Sequence, residues 1–333
     1  MEPTPTEGRR AAVVLGSGGA RGYAHIGALE VIKAHGFDVV AISGCSMGAL
    51  VGGVFAAGHL ESYRDWVLTL RQRDVLRLVD LSLSSMGAIR GDKLFAMVGE
   101  MIGDVAIEDL PIAYTAVATD LLSQREVWFQ DGPLADAIRA SVAIPSLLTP
   151  VITDNQLLVD GALMNPVPIL PTLPAQADVT IAVHLAGGTR RHTPTRPSGP
   201  VHGTDEDDAV IDDDDPLDAE HDERWATLRQ RASRLLDWDT VRTMLSRDGH
   251  PTDVDDFAEY GRLDIMNLAY ETMQATLTSY KLAGYPPDVL VEIPKSSART
   301  FEFHRAAELI ELGRELTTEA LAEAGLGAVD PEG

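Results

Sequence analysis

The stretch Phe37–Leu50, FDVVAISGCSMGAL, leaves the chain few local structures. Val39, Val40, Ala41 and Ile42, flanked by Phe37, favour an extended strand; Gly44-Cys45-Ser46-Met47-Gly48 follows, and an apolar, glycine-tolerant run continues at helical spacing. The pattern predicts a strand, a sharp turn and a helix. A serine at such a corner crowds its neighbours two positions away on either side, which accounts for Gly44 and Gly48, and its hydroxyl projects clear of the sheet. The helix beyond Ser46 would aim free amide groups at the site and favour negative charge there. GxSxG also occurs at turns that do no chemistry; the placement between strand and helix makes Ser46 a candidate nucleophile. The single cysteine, Cys45, reads as a small buried hydrophobe, because the glycine spacing frames the serine.

A chain of 333 residues holds one large α/β domain or two small ones, and an apolar share of 45% excludes disorder throughout. One cysteine allows no internal disulfide and no cysteine-built zinc site. The opening MEPTPTEGRR leads into only a short apolar run and does not read as a signal peptide. No apolar stretch approaches the roughly 20 residues that span a bilayer. A soluble, cytoplasmic chain is expected, with any membrane contact weak and peripheral. The net charge of -24 argues against a nucleic-acid partner and against tight docking on anionic lipid.

Ala11–Leu15 read as a buried parallel strand, followed by the turn GSGGARG at Gly16–Gly22 and an apolar helix containing Ile26, Leu29 and Ile32. Strand, glycine turn and helix invite a dinucleotide reading, but G-x-G-x-x-G is out of phase at Arg21 and no acidic residue closes a second strand. An anion cradle made by the amides of Gly18 and Gly19 competes with it, as does a purely structural turn.

GSGGARGYAHIG followed by GCSMG resembles the patatin-like phospholipase family, including bacterial members related to the esterase domain of neuropathy target esterase. The resemblance implies a three-layer α/β/α fold with a mainly parallel central sheet. It also implies a Ser-Asp dyad without histidine that hydrolyses acyl esters of phospholipids, lysophospholipids or simpler lipids, with neither metal nor organic cofactor. Ser46 matches the family nucleophile, Gly18 and Gly19 the oxyanion turn, and Arg21 the arginine beside it. Ser17 stands where the family commonly has glycine.

The other decisive stretch is Leu157-Leu158-Val159-Asp160-Gly161-Ala162, a short apolar strand that delivers an acid to its end, where parallel sheets collect their chemistry. Asp-Gly alone reads as a turn cap; the family match in register over Asp160-Gly161-Ala162 implies the acid of the dyad. Asn165 follows in a loop and is expected to brace the aspartate. His184, at the end of the strand ADVTIAVHL, together with His25 and His304, are the alternatives for a histidine base. A carboxylate within hydrogen-bond reach needs none of them.

Residues 49 to 80 and DKLFAMVGEMI read as helices, PIAYTAVATDLLSQREVWFQDG as two strands joined by a polar turn, and PLADAIRASVAI as a helix starting at Pro133. From Asp205 to Glu223 twelve acidic residues occur without a Lys or Arg, half of the net charge of -24. Such a run repels itself and predicts a disordered insertion. Beyond it, Ile265, Leu268, Ala269, Met273 and Leu277 line one face of a long helix expected to cover the cleft, DVLVEI is a strand, and a last helix closes at Gly325.

The expected organisation is therefore a tail over 1–10, a catalytic core over 11–186, the insertion over 187–223, a continuation of the same domain over 224–325 and a tail over 326–333. The expected function is a serine esterase on lipid acyl esters, with Ser46 and Asp160 catalytic, Gly18 and Gly19 holding the oxyanion, and Arg21, Gly44, Gly48, Gly161 and Asn165 in support. An acyltransferase or thioesterase with the same nucleophile, or a non-catalytic lipid-sensing or scaffold protein, are the alternatives.

Overall fold

The computed structural model describes residues 8–78, 87–89, 91–153, 155–187 and 262–326. The acidic run and the stretch RWATLRQRASRLLDW lie outside the described residues, as does most of LSLSSMGAIRG. The described residues fall in one compact unit, Met1–Thr189 with Ile265–Gly333, save for Arg262, Leu263 and Asp264.

Strand β1 (Arg10–Leu15) leads through a 3-10 turn (Gly19–Tyr23) into α1 (Ala24–Ala34), and β2 (Asp38–Cys45) leads directly into α2 (Met47–Ala56). Two more helices, α3 (Leu60–Thr69) and α4 (Gln72–Leu78), are followed by the short β3 (Gly87–Ile89) and α5 (Asp92–Ile102). Then come β4 (Ala113–Asp120), β5 (Arg125–Phe129), α6 (Leu134–Ser141), β6 (Ser146–Leu148), β7 (Val151–Thr153) and β8 (Gln156–Asp160). The described chain ends with β9 (Val179–Gly187), α7 (Arg262–Gly284), β10 (Val289–Pro294) and α8 (Ala306–Glu323).

The main sheet runs β10-β9-β1-β2-β4-β8-β7, with β5 also paired to β4, while β3 and β6 form a separate two-stranded sheet. Five neighbours, β10 to β4, are parallel. The margin is not: β5 and β8 both run antiparallel to β4, and β7 antiparallel to β8. The sheet is mainly parallel, as expected, with an antiparallel margin where the β4–β5 and β7–β8 hairpins each reverse the chain. Asn155, with φ 68°, supplies the left-handed residue in the second of these turns.

Alternation along the strands divides the core into two layers, since successive side chains point to opposite faces. Val13, Leu15, Ile181, Val183, Val291 and Ile293 join α1, α2, α6 and α8 residues in the larger cluster. Val14, Ala182 and Leu290 look the other way, onto Val167, Ile169 and Leu282 of α7. The sheet is buried on both faces between helical layers, an α/β/α arrangement. At the far end, α8 stops where Gly325 takes φ 70° and Leu326 N donates to Leu321 O at 2.8 Å.

Candidate active site

The pairing of β4 explains how two residues 114 positions apart in the chain come together. One edge of β4 is taken by β5 over Ala116–Asp120. Strand β2 pairs with Ala113–Val117 and β8 with Ala118–Asp120, so both must use the opposite edge. There they meet end to end: Cys45 is opposite Val117 and Asp160 is opposite Ala118. The antiparallel course of β8 is what turns its last residue toward the last residue of β2, and Ser46 follows at once.

Ser46 sits at φ 56° and ψ -124°, a conformation that side-chain-bearing residues rarely adopt, and it immediately precedes the first turn of α2. The two flanking glycines permit it. A Cβ on Gly44 would lie 2.4 Å from the Gly48 carbonyl, and one on Gly48 would lie 2.0 Å from Leu15 O at the end of β1. The corner is further held by Ser141 at the end of α6, whose Oγ accepts the Ser46 amide at 3.0 Å and donates to Val117 O at 2.6 Å.

Asp160 is 2% exposed. Its amide donates to Ala143 O at 2.9 Å, and its Oδ1 accepts the Ala162 amide at 2.8 Å and the Cys45 thiol at 3.6 Å. The nearby Ser46 hydroxyl also favours the ionised carboxylate. Burial outweighs these donors and lifts the carboxyl pKa from 3.8 to about 6. The Cys45 thiol is pushed well above its ordinary range by its own burial and by Asp160, so it stays protonated. Gly161 lets the chain leave β8 against the sheet, since a Cβ there would lie 2.2 Å from Val117 O.

The glycine turn lies beside this corner, because Leu15 pairs with Gly44 across β1 and β2. Gly19 has φ 57°, and a Cβ on Gly18 would lie 2.5 Å from Leu185 Cβ. Among the described residues, the amides of Ser17 and Ala20 are taken by Pro166 O and Thr300 O, whereas those of Gly18 and Gly19 have no backbone partner. Arg21 is spent on structure: its Nε donates to Leu185 O at 2.8 Å and one terminal nitrogen to Ala298 O at 2.8 Å, fastening the turn to the ends of the neighbouring strands.

Asn165 departs from expectation. Its Nδ2 donates to Glu126 at 2.9 Å and its amide to Gly161 O at 2.8 Å, so it braces the turn after Asp160 and not the carboxylate. Glu126, on β5, also receives Lys281 of α7 at 2.7 Å and the Trp128 indole at 3.1 Å. Burial raises its pKa, but these donors more than offset it and hold the carboxyl below its usual range. Helix α7 closes over the same turn: Gln274 donates to Ala162 O at 3.3 Å, and burial, then the charge of Asp160, raises the pKa of the Tyr270 phenol.

The histidines lie elsewhere. His25 is fully buried with its ring on Gly16 O at 2.8 Å, and burial lowers its pKa to about 4. Burial and the Arg21 charge take His184 to about 4 as well, and His304 is exposed on the surface. Among the described residues no hydrogen bond joins any of the three to Ser46. Nor does any described group of three or more His, Cys, Asp or Glu side chains form a metal-holding cluster, and no described helix is long and apolar enough to cross a membrane.

Sequence reasoning missed Ser141, Glu126, Gln274 and Lys281. Each acts across a long separation, 95 residues for Ser141 and 155 for the Lys281–Glu126 pair, and no local spacing signals it.

The family model for patatin-like phospholipase matches residues 13–173, a span that contains the glycine turn, Ser46 and Asp160. An uncharacterized NTE family protein of Mycobacterium tuberculosis is 42% identical over 349 residues, covering 94% of this chain and 91% of that protein. The neuropathy target esterase sws of Drosophila sechellia is 32% identical over 168 residues, 48% of this chain and 11% of that protein. A patatin-like phospholipase domain-containing protein of Caenorhabditis elegans is 32% identical over 171 residues, 48% of this chain and 12% of that protein. With the glycine turn, the strained serine corner and the buried aspartate all inside the matched span, this chain belongs to the patatin-like phospholipase family, among its NTE-family members.

Proposed function

We propose that the protein is a serine esterase that hydrolyses lipid acyl esters, of phospholipids or lysophospholipids, through Ser46 and Asp160. Ser46 Oγ attacks the acyl carbonyl while its proton passes to Asp160. The carbonyl electron pair moves onto the oxygen, which the free amides of Gly18 and Gly19 stabilise, and returns as the alcohol leaves with the proton from Asp160. Water then gives one proton to Asp160 and its oxygen to the acyl carbon, and the bond to Ser46 Oγ breaks as Asp160 returns that proton to the serine, releasing the acid. An oxyanion donor of this kind is worth about 3–4 kcal/mol in other hydrolases.

The observation that carries the reading is the meeting of β2 and β8 at adjacent residues of β4, which brings the strand ends that bear the strained Ser46 and the buried Asp160 side by side. A base with a pKa of about 6 is ionised at neutral pH yet basic enough to take a proton in the transition state. Both histidines with resolved shifts are neutral there and are bonded away from Ser46.

Turnover of p-nitrophenyl esters and of lysophospholipid by single variants tests it. Ser46→Ala is expected to abolish hydrolysis, and Asp160→Asn to lower kcat at least about 100-fold, the lower end of general-base assistance. Residues that work as a unit are not additive, so the double variant should be little worse than Ser46→Ala. His25→Ala and His184→Ala should stay within about tenfold of the parent enzyme. A histidine variant as inactive as Ser46→Ala, beside an Asp160→Asn enzyme near full activity, would overturn the assignment.

A further inference from the structure

Helix α7 has two faces of opposite character. Inward it holds the turn beyond Asp160, through Gln274 on Ala162 O at 3.3 Å and Lys281 on Glu126 at 2.7 Å. Outward, Ile265, Ala269, Met273, Thr276, Tyr280 and Ala283 are all exposed. Their spacing of three and four residues stacks them on one side of the helix, along about 27 Å at 1.5 Å per residue.

The exposed apolar side chains are large: Ile265 is 58% exposed, Met273 53% and Tyr280 74%. The only charged residues between Ile265 and Ala283 are Glu271 and Lys281, and both are engaged in ion pairs, with Lys295 and Glu126. A helix face that meets only water ordinarily carries charge. Here, in a chain with a net charge of -24, the exposed residues of α7 from Ile265 to Ala283 carry none.

At the Lys281 end the exposed groups are aromatic with polar tips. Tyr285, 41% exposed, donates its amide to Lys281 O, and Trp128, 40% exposed, donates its indole N–H to the Glu126 carboxylate that Lys281 pairs with. Such side chains are favoured where an apolar medium meets water.

We propose that the outer face of α7 is a lipid-contact surface, with Ile265, Met273 and Tyr280 entering the boundary of a zwitterionic or uncharged lipid layer. The proposal rests on the lipid-ester reading of the site. It adds the surface by which the enzyme meets its substrate in bulk, placed on the helix whose other face closes over the Asp160 turn. No exposed residue from Ile265 to Ala283 is basic, and in so acidic a chain this selects against anionic lipid.

The test uses the full chain carrying Met273→Asp and Tyr280→Asp, with phosphatidylcholine vesicles. The expected results are a fall of at least about tenfold in the vesicle partition coefficient, from charge placed in the apolar boundary, and a matching fall in hydrolysis of vesicle-borne ester. Turnover of a soluble p-nitrophenyl ester and fluorophosphonate labelling should stay within about twofold, and the Leu68→Asp enzyme, altered on α3, should match the parent in every assay. The single variant Ala269→Asp repeats the measurement with a smaller change. Unchanged partition, no parental binding to phosphatidylcholine, or binding seen only with anionic vesicles and lost in salt would overturn the proposal. So would a change in protomer number, which assigns the stripe to a second copy, or a loss of thermal stability, which assigns it to the chain's own packing. A parent enzyme that binds phosphatidylcholine vesicles but neither turns over the soluble ester nor takes the fluorophosphonate would count against the catalytic reading instead.

Discussion

Asp160 is a carboxylate kept out of water, and the protein's stability must register the cost of ionising it. Its folded pKa of about 6 lies above the ordinary 3.8, so between these values the native state binds a proton that the unfolded chain releases. Stability therefore falls as pH rises through this window and stays lowered above it. A shift of about two units corresponds to about 3 kcal/mol. Asp160→Asn, which keeps an acceptor for the Ala162 amide, is expected to unfold at higher urea concentration than the parent at pH 8, by up to that amount, with the gain shrinking toward pH 4. A gain independent of pH, or a loss at pH 8, would show that the carboxylate is not held as described. At this scale the sequence was legible only where a residue is framed by its neighbours. Ser46 stands between two glycines and Asp160 before one, but Ser141 is a hydroxyl in an ordinary helical run, and its bridge from the Ser46 amide to Val117 O exists only after three elements have packed.

At the scale of elements, the serine corner is a place where two backbones touch. Gly48→Ala would force a methyl to within 2.0 Å of Leu15 O, and overpacking against backbone should cost on the order of 3 kcal/mol or more. Gly99, within α5, has nothing within 4 Å of an added Cβ, and there alanine should stabilise by about 0.5–1 kcal/mol through helix propensity. Urea denaturation of the two variants checks the contrast, and equal effects would contradict the close approach. Element identity was readable from periodicity, which correctly separates the strand and helix of this corner. Direction and facing were not. The pattern LLVD reads the same in a parallel or an antiparallel strand, so the course of β8 had to come from the hairpin it shares with β7. In α7 the sequence groups Ile265, Leu268, Ala269, Met273 and Leu277 on one face, yet Ile265, Ala269 and Met273 are exposed, Leu268 and Leu277 are half-buried, and Gln274, Thr278 and Lys281 turn inward. Ion pairs and a hydrogen bond to a main-chain carbonyl decide that orientation, and hydropathy does not register them.

Over the whole molecule, the site is assembled from both ends of the described chain. Strands β1, β2, β4 and β8 supply the glycine turn, the serine and the aspartate, all within the 13–173 span of the family model. Helix α7 and the Lys295–Thr300 segment lie beyond it and secure the Asp160 turn and the glycine turn, through Gln274 and through the carbonyls that hold Arg21 and Ala20. The central claim is that Ser46 is a nucleophile because Asp160, and no histidine, takes its proton. The most direct measurement is the rate and site of fluorophosphonate labelling, followed by peptide mass mapping, in the parent and in the Asp160→Asn, His25→Ala and His184→Ala enzymes. The account predicts a single adduct on Ser46 whose formation rises with pH through about 6, is slowed at least about 100-fold by Asp160→Asn, and is little changed by either histidine variant. An adduct at another residue, no adduct at all, or a rate that Asp160→Asn leaves intact while a histidine variant abolishes it would contradict the account.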